Sequence, residues 1–89
     1  MDNVELLLQS VLALACNDGS LVKRAKSIKQ FIDRIDPNKL PMSTELTLEN
    51  LKTELNDPHS ENAYQIANMT VGLFSNVRAD SVLHPERYQ

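Results

Sequence analysis

Residues 21–35 of the chain read LVKRAKSIKQFIDRI, and this stretch carries the clearest fold signal in the sequence. Its apolar side chains recur at intervals of four, three, four and three residues, so they fall along one side of an α-helix. Lysine, glutamine and aspartate occupy the opposite side. We predict an amphipathic helix over residues 21–35 that ends before Pro37. The residues expected to face a core are Leu21, Ala25, Ile28, Phe31, Ile32 and Ile35.

The segment before this stretch predicts another helix. Asp2 is followed three residues later by Glu5, which is the spacing of a capping box, so the helix is expected to begin near Asn3. The turn at residues 17–19 contains Gly19, which adopts a positive φ at little cost, and Ser20 is a suitable N-cap for the helix at 21–35. The apolar residues at helical spacing in this first helix are Val4, Leu7, Leu8, Val11, Leu12 and Ala15.

The second half of the chain predicts two more helices. One covers residues 43–55, with a serine or threonine near residues 43–47 as its N-cap and Leu48, Leu51 and Leu55 as its inward face. The next begins at Pro58, where a missing amide costs nothing, with Asp57 as its cap, and continues toward Leu83. Residues 83–89 are expected to form a frayed tail.

Four helices with short connections in 89 residues predict an all-α fold, a small four-helix bundle with antiparallel up-and-down order. An orthogonal packing of the helices is the alternative, because residue spacing fixes the inward face of a helix and not its crossing angle. We expect one helical domain that spans residues 1–89.

The inventory of reactive residues is small. Cys16 is the single cysteine, so it has no partner for an internal disulfide, and we expect it to be a small core residue. His59 and His84 have no metal-ligand partner three or four residues away, and the two glycines form no phosphate-binding loop. We therefore expect a protein without enzymatic activity, cofactor or metal. An acidic start and the lack of a membrane-spanning apolar stretch predict a cytoplasmic protein that does not contact membranes.

The formal net charge of −3 is unevenly distributed along the chain. Residues 20–39 carry six basic and two acidic side chains, whereas residues 40–89 carry three basic and seven acidic ones. The basic helix allows one alternative function, a DNA-binding regulator of helix-turn-helix type. Its candidate contacts are Lys23, Arg24, Lys26 and Lys29. The acidic remainder of the chain makes nucleic acid an unlikely partner.

Two helices have unusually long stretches without charge. Residues 62–77 contain no charged side chain, and neither do residues 6–17. Exposed helix faces normally carry charge, so uncharged outward faces are candidate contact surfaces. A homodimer that joins through these two helices, as in a self-associating structural or adaptor subunit, is a second alternative. The candidate contact residues in the later stretch are Asn62, Gln65, Met69 and Gly72.

The acidic half of the chain supports our leading hypothesis, a non-enzymatic protein-binding module. An acidic compact domain associates rapidly with a basic partner, so we expect an inhibitor of immunity or antitoxin type that neutralises a basic toxin or nuclease. The acidic residues expected to contact the partner are Glu45, Glu49, Glu54, Asp57 and Glu61.

Overall fold

The computed structural model describes residues 1–16 and 19–88, and these residues form an all-α bundle without strands. The four α-helices are α1 (Asn3–Ala15), α2 (Leu21–Ile32), α3 (Glu45–Glu54) and α4 (Ala63–Leu83). Three short 3-10 helices accompany them, at Pro37–Lys39, Met42–Thr44 and Pro85–Tyr88. The predicted all-α four-helix bundle is confirmed.

Side chains cap the first two helices where the sequence predicted. The Asp2 carboxylate accepts a hydrogen bond from the Glu5 amide at 2.9 Å, and α1 begins at Asn3. The Ser20 hydroxyl accepts one from the Lys23 amide at 3.2 Å. Gly19 has a φ of 91°, a conformation that only glycine adopts without strain. Asn17 and Asp18, the rest of the predicted turn, lie outside the described residues.

Two predicted helix boundaries are wrong. The second helix ends at Ile32 instead of residue 35, because the amides of Arg34 and Ile35 bond to carbonyls only three residues back and tighten the last turn. Ile35 is nevertheless buried. The fourth helix begins at Ala63 instead of Pro58. The Asn62 side chain explains the later start, because its amide oxygen accepts a hydrogen bond from the His59 amide at 2.8 Å and holds this segment as a turn.

A buried asparagine fixes the direction of α1. The Asn3 side-chain amide donates to the Asp36 carbonyl at 2.9 Å, and its oxygen accepts from the Asp36 amide at 2.9 Å. At the other end of α1, the Arg24 guanidinium donates to the Leu14 carbonyl at 2.7 Å. The start of α1 therefore lies beside the end of α2 and the end of α1 beside the start of α2, so the two helices are antiparallel.

Helix α4 connects the rest of the bundle. It packs against α1, α2 and α3, and α3 has its main helix contact with α4. Met1 and Tyr88 line the same hollow of about 340 Å³, so the start of α1 lies near the 3-10 helix that follows α4. The core combines the inward residues of all four helices, among them Leu7, Ile28, Leu51 and Leu73.

The inward face of α1 differs from the predicted stripe. Leu8 and Leu12 are exposed, whereas Leu6 and Ser10 are buried. The Ser10 hydroxyl donates to the Leu6 carbonyl at 2.9 Å, which satisfies a polar group inside the core. Because α1 is apolar around most of its circumference, its sequence pattern did not show which apolar side faces the core.

The end of the chain is ordered instead of frayed at residues 85–88. The Arg87 guanidinium donates to both oxygens of the Asp80 carboxylate, at 3.1 and 3.0 Å. The Tyr88 hydroxyl donates to the same carboxylate at 2.7 Å. Burial and the hydrogen bond to Asp80 raise the pKa of Tyr88 above its ordinary value. One carboxylate on α4 thus holds the last 3-10 helix.

Candidate protein-binding surface

Helix α3 exposes apolar side chains beside acidic ones. Its inward residues Leu48 and Leu51 are buried in the core. Leu46 lies two residues before Leu48, which places it on the opposite side of the helix, and it is 67% exposed. Met42, in the 3-10 helix that precedes α3, is 87% exposed. Two large apolar side chains thus lie in water at the start of α3.

Glu45 and Glu49 lie next to these apolar side chains. The two glutamates are four residues apart, so they are neighbours on the surface of α3. Both are exposed. Neither carboxylate forms a hydrogen bond or ion pair within residues 1–16 and 19–88, so both keep their full negative potential toward solvent. We call Met42, Glu45, Leu46 and Glu49 the α3 face.

The backbone that carries the α3 face is fixed by local hydrogen bonds. The amide and the hydroxyl of Thr44 both donate to the Pro41 carbonyl, at 3.0 and 2.7 Å. Thr44 is itself buried, so this turn cannot move without exposing a core residue. A hollow of about 370 Å³ opens beside the α3 face. Its lining residues are Pro37, Asn38, Leu40, Pro41, Met42, Glu45 and Leu48.

The structure does not bring the five predicted acidic residues together. Glu54 is nine residues beyond Glu45, which at about 100° per residue places it on the opposite side of α3. Its carboxylate accepts a hydrogen bond from the Asn62 side chain at 2.7 Å, so it has a partner within the fold. Asp57 and Glu61 are exposed, but they lie in the connection between α3 and α4.

The predicted contact residues of α4 also divide into two groups. Asn62 is buried, and its side chain bonds to His59, Asp57 and Glu54, so its assignment as an outward contact is wrong. Met69 is half-buried and packs against the core. Gln65 and Gly72 are exposed, as predicted for an outward face. The Asn62 side chain is not available to a partner, because it forms hydrogen bonds with backbone groups of the turn before α4.

Sequence patterns did not point to the exposed Met42 and Leu46, or to three of the exposed apolar residues of α4. Leu46 could have been found, because it is out of phase with the spacing of Leu48, Leu51 and Leu55. These exposed apolar residues on α4 could not be recognised, because apolar and small side chains occur around the whole helix and leave no clear apolar stripe. They are Tyr64, Val71 and Val82, all exposed.

Two of the four basic residues of α2 that were candidate DNA contacts have partners inside the chain. Arg24 binds the Leu14 carbonyl and so connects α2 to the end of α1. Lys29 forms an ion pair with Asp33 at 2.9 Å, one helical turn away. Lys23 and Lys26 extend into solvent. Two of the four candidate DNA contacts therefore have a structural explanation.

The reactive side chains of the described residues are scattered. Cys16 is exposed at the end of α1, so the expectation of a core cysteine is wrong. The ring of His84 lies 3.5 Å from the Glu86 carboxylate, and both side chains are exposed. Within residues 1–16 and 19–88, no three histidine, cysteine or carboxylate side chains form a group that could hold a metal ion. None of the helices in this part of the chain has the length and apolar character needed to cross a membrane.

Comparison with known proteins adds nothing to this geometry. The chain matches no protein-family model, no curated protein and no solved structure. A function for the chain therefore has to be argued from its own surfaces, of which the α3 face combines exposed apolar area with unpaired charge.

Proposed function

We propose that this chain is a non-enzymatic protein-binding module that uses the α3 face to bind a basic protein. The observation that carries the proposal is the exposure of Met42 and Leu46 beside two acidic side chains that have no partner in the described residues. Protein interfaces combine an apolar centre with a polar rim, and the α3 face has this arrangement. A partner that buries Met42 and Leu46 gains about 1.5–3 kcal/mol for each side chain.

The charge of this region determines the kind of partner. The α3 face contains the exposed Glu45 and Glu49 and no basic side chain, so it is negatively charged. A negative surface speeds association with a positive one and repels acidic competitors. Within the class of binding modules we favour an inhibitor of immunity or antitoxin type, which neutralises a basic toxin or nuclease by covering its surface.

The first test identifies the partner and measures its association. The tagged wild-type chain is used to capture proteins from its native host, and the captured protein is then purified. Association rates are measured for the wild-type chain and for the double variant Glu45→Lys/Glu49→Lys. We expect the double variant to associate at least several-fold more slowly, because it replaces attraction by repulsion at the contact.

The double variant Asp57→Lys/Glu61→Lys is the matched control, because it changes the net charge by the same amount. Asp57 follows the end of α3, whose ten residues at about 1.5 Å each separate its two ends by more than the screening length of about 10 Å at 0.1 M salt. At this salt concentration the control is expected to associate nearly as fast as the wild type. Equal slowing by both double variants would contradict a specific role of the α3 face.

A second measurement separates the apolar centre from the charges. Leu46→Ser removes exposed apolar area without affecting the core, so its fold is expected to be unchanged. We expect it to increase the dissociation rate of the captured complex and to leave the association rate almost unchanged. A dissociation rate equal to that of the wild type would show that the partner does not cover Leu46.

A further inference from the structure

The outer side of α4 carries a seam of six exposed residues with coiled-coil spacing. They follow one another at intervals of four, three, four, three and four residues, which keeps them along one line of the helix. Tyr64, Val71 and Val82 are its large apolar members, and they are 74%, 49% and 68% exposed. We call the whole set the α4 seam: Tyr64, Asn68, Val71, Ser75, Arg78 and Val82.

The α4 seam is symmetric about the middle of its helix. Helix α4 covers residues 63–83, so its central residue is Leu73. Tyr64 and Val82 lie nine residues on either side of Leu73. The pair Asn68 and Arg78 lies five residues away, and the pair Val71 and Ser75 lies two residues away. Reversing the direction of the helix therefore places every seam position on another seam position.

We propose that α4 pairs with α4 of a second copy of this chain in antiparallel orientation, with a two-fold axis at the height of Leu73 along the helix, on the seam side opposite this buried residue. In this register Tyr64 of one copy lies against Val82 of the other, so an aromatic ring covers a branched apolar side chain at each end. Near the axis Val71 lies against Ser75. Each contact occurs twice, as required for a symmetric interface in which both copies use the same surface.

Charge favours the antiparallel orientation. Arg78 is the only charged residue of the α4 seam, and its guanidinium has one weak side-chain contact, at 3.5 Å to the Ser81 hydroxyl. In the antiparallel pair it faces Asn68 of the second copy, whose amide oxygen is a hydrogen-bond acceptor. A parallel pair would place Arg78 against Arg78 and would also align the two helix dipoles unfavourably.

The surface beside the axis is open. Gly72 is exposed about a quarter turn from the line of the α4 seam, and a Cβ atom added at Gly72 would meet no atom within 4 Å. One flank of the α4 seam is therefore free of neighbouring atoms from the described part of the first copy. The α3 face and the α4 seam share no residue, so the dimer would present two α3 faces to partners.

Disulfide cross-linking tests both the pairing and its direction. In a Cys16→Ser background, Tyr64→Cys and Val82→Cys are made as separate chains. In the antiparallel dimer, position 64 lies against position 82 of the other copy. Positions 64 of the two copies are about 27 Å apart, since 18 residues separate the two ends of the seam at about 1.5 Å each. We expect linked dimers under a mild oxidant only when the two variants are mixed.

The outcomes of this experiment are distinct. Linked dimers in the Tyr64→Cys chain alone would overturn the antiparallel direction in favour of a parallel pair. No linkage in the mixture, with a sedimentation mass of one chain from about 1 µM to about 1 mM, would overturn the dimer itself. The circular dichroism spectrum of each variant is recorded as a control, and we expect it to match the wild type because both changes are at exposed positions.

A charge introduced near the axis provides a second test. Val71→Glu places two carboxylates close to the axis of the dimer and is expected to lower its association constant at least ten-fold in sedimentation equilibrium. Leu12→Glu is the matched control, because it makes the same kind of change at an exposed apolar residue of α1. Equal loss of association in both variants would overturn the assignment to the α4 seam.

Discussion

Helices α2 and α4 expose different kinds of side chain to solvent. The outer side of α2 carries lysines, and two of them extend into water. Such a charged face opposite an apolar one is typical of a solvated helix. The outer side of α4 exposes Tyr64 and Val71 within residues 62–77, which contain no charge, and Val82 near its end. Exposed lysines are ordinary on a solvated helix, whereas the exposed apolar residues of α4 are those that the proposed dimer would cover. Position of charge along the helices is therefore more informative than the net charge of −3.

The largest expected effect tests the inward and outward sides of α4. Leu73 is fully buried, so Leu73→Ala leaves a cavity and is expected to lower the free energy of unfolding by about 2–5 kcal/mol. Val71→Ala, two residues away on the outer side, is expected to change it by less than about 1 kcal/mol. Urea unfolding of dilute samples measures both. Similar losses in the two variants would mean that the outer side of α4 is covered in the monomer.

A second comparison uses two asparagines from the uncharged stretch. Asn62→Ala removes the acceptor of the His59 amide and the donor to Glu54, so the variant is expected to lose about 1–3 kcal/mol of unfolding free energy. Asn68→Ala changes an exposed residue and is expected to be nearly neutral. Chemical denaturation distinguishes them. Equal stabilities would show that the turn before α4 does not depend on the Asn62 side chain.

The sequence predicted helices well where one face alone was apolar. In α2 the apolar residues and the lysines each recur at helical spacing on opposite sides, which identified the inward side. The caps at Asp2 and Ser20 identified two helix starts. The predictions were wrong where several faces were apolar or where a polar side chain had a distant partner. Leu8 and Leu12 of α1 were placed inward, because nothing in a helix that is apolar all round says which side meets its neighbours.

The candidate surfaces were only partly predictable, for a related reason. Helical spacing predicts that Glu45 and Glu49 are neighbours on α3. It does not predict that Glu54 is engaged within the fold, because that depends on its hydrogen bond to Asn62, eight residues later. The ordered end of the chain likewise depends on Asp80, which binds both Arg87 and Tyr88. Such pairings are set by the three-dimensional path of the backbone, which local patterns do not contain.

Tyr88 makes stability depend on alkaline pH. Its pKa is raised in the folded chain above the ordinary value of about 10, so the folded state favours the protonated hydroxyl. The stabilisation is therefore complete below about pH 10 and is lost as the pH rises through the folded pKa. Tyr88→Phe is expected to lose about 1 kcal/mol at neutral pH and to show a smaller further loss between about pH 9 and pH 12 than the wild type.

The control for this pH dependence is Tyr64→Phe, which removes a hydroxyl from an exposed ring. It is expected to retain the alkaline loss of the wild type in thermal unfolding followed across the same pH range. If Tyr88→Phe and the wild type lose stability in parallel as the pH rises, the hydrogen bond to Asp80 does not hold the end of the chain.

The smallest expected effects are on the outer side of α2. Lys29→Ala breaks an exposed ion pair with Asp33, and such pairs contribute about 0.3–0.5 kcal/mol to unfolding free energy. Lys26→Ala removes a lysine that extends into solvent and is expected to leave stability unchanged within about 0.5 kcal/mol. Because residues 40–89 carry seven acidic and three basic side chains, we also expect the wild type to show no measurable affinity for duplex DNA at low ionic strength. Salt-dependent DNA binding that Lys26→Ala weakens would reverse the comparison with α4 and assign the basic helix a role in recognition.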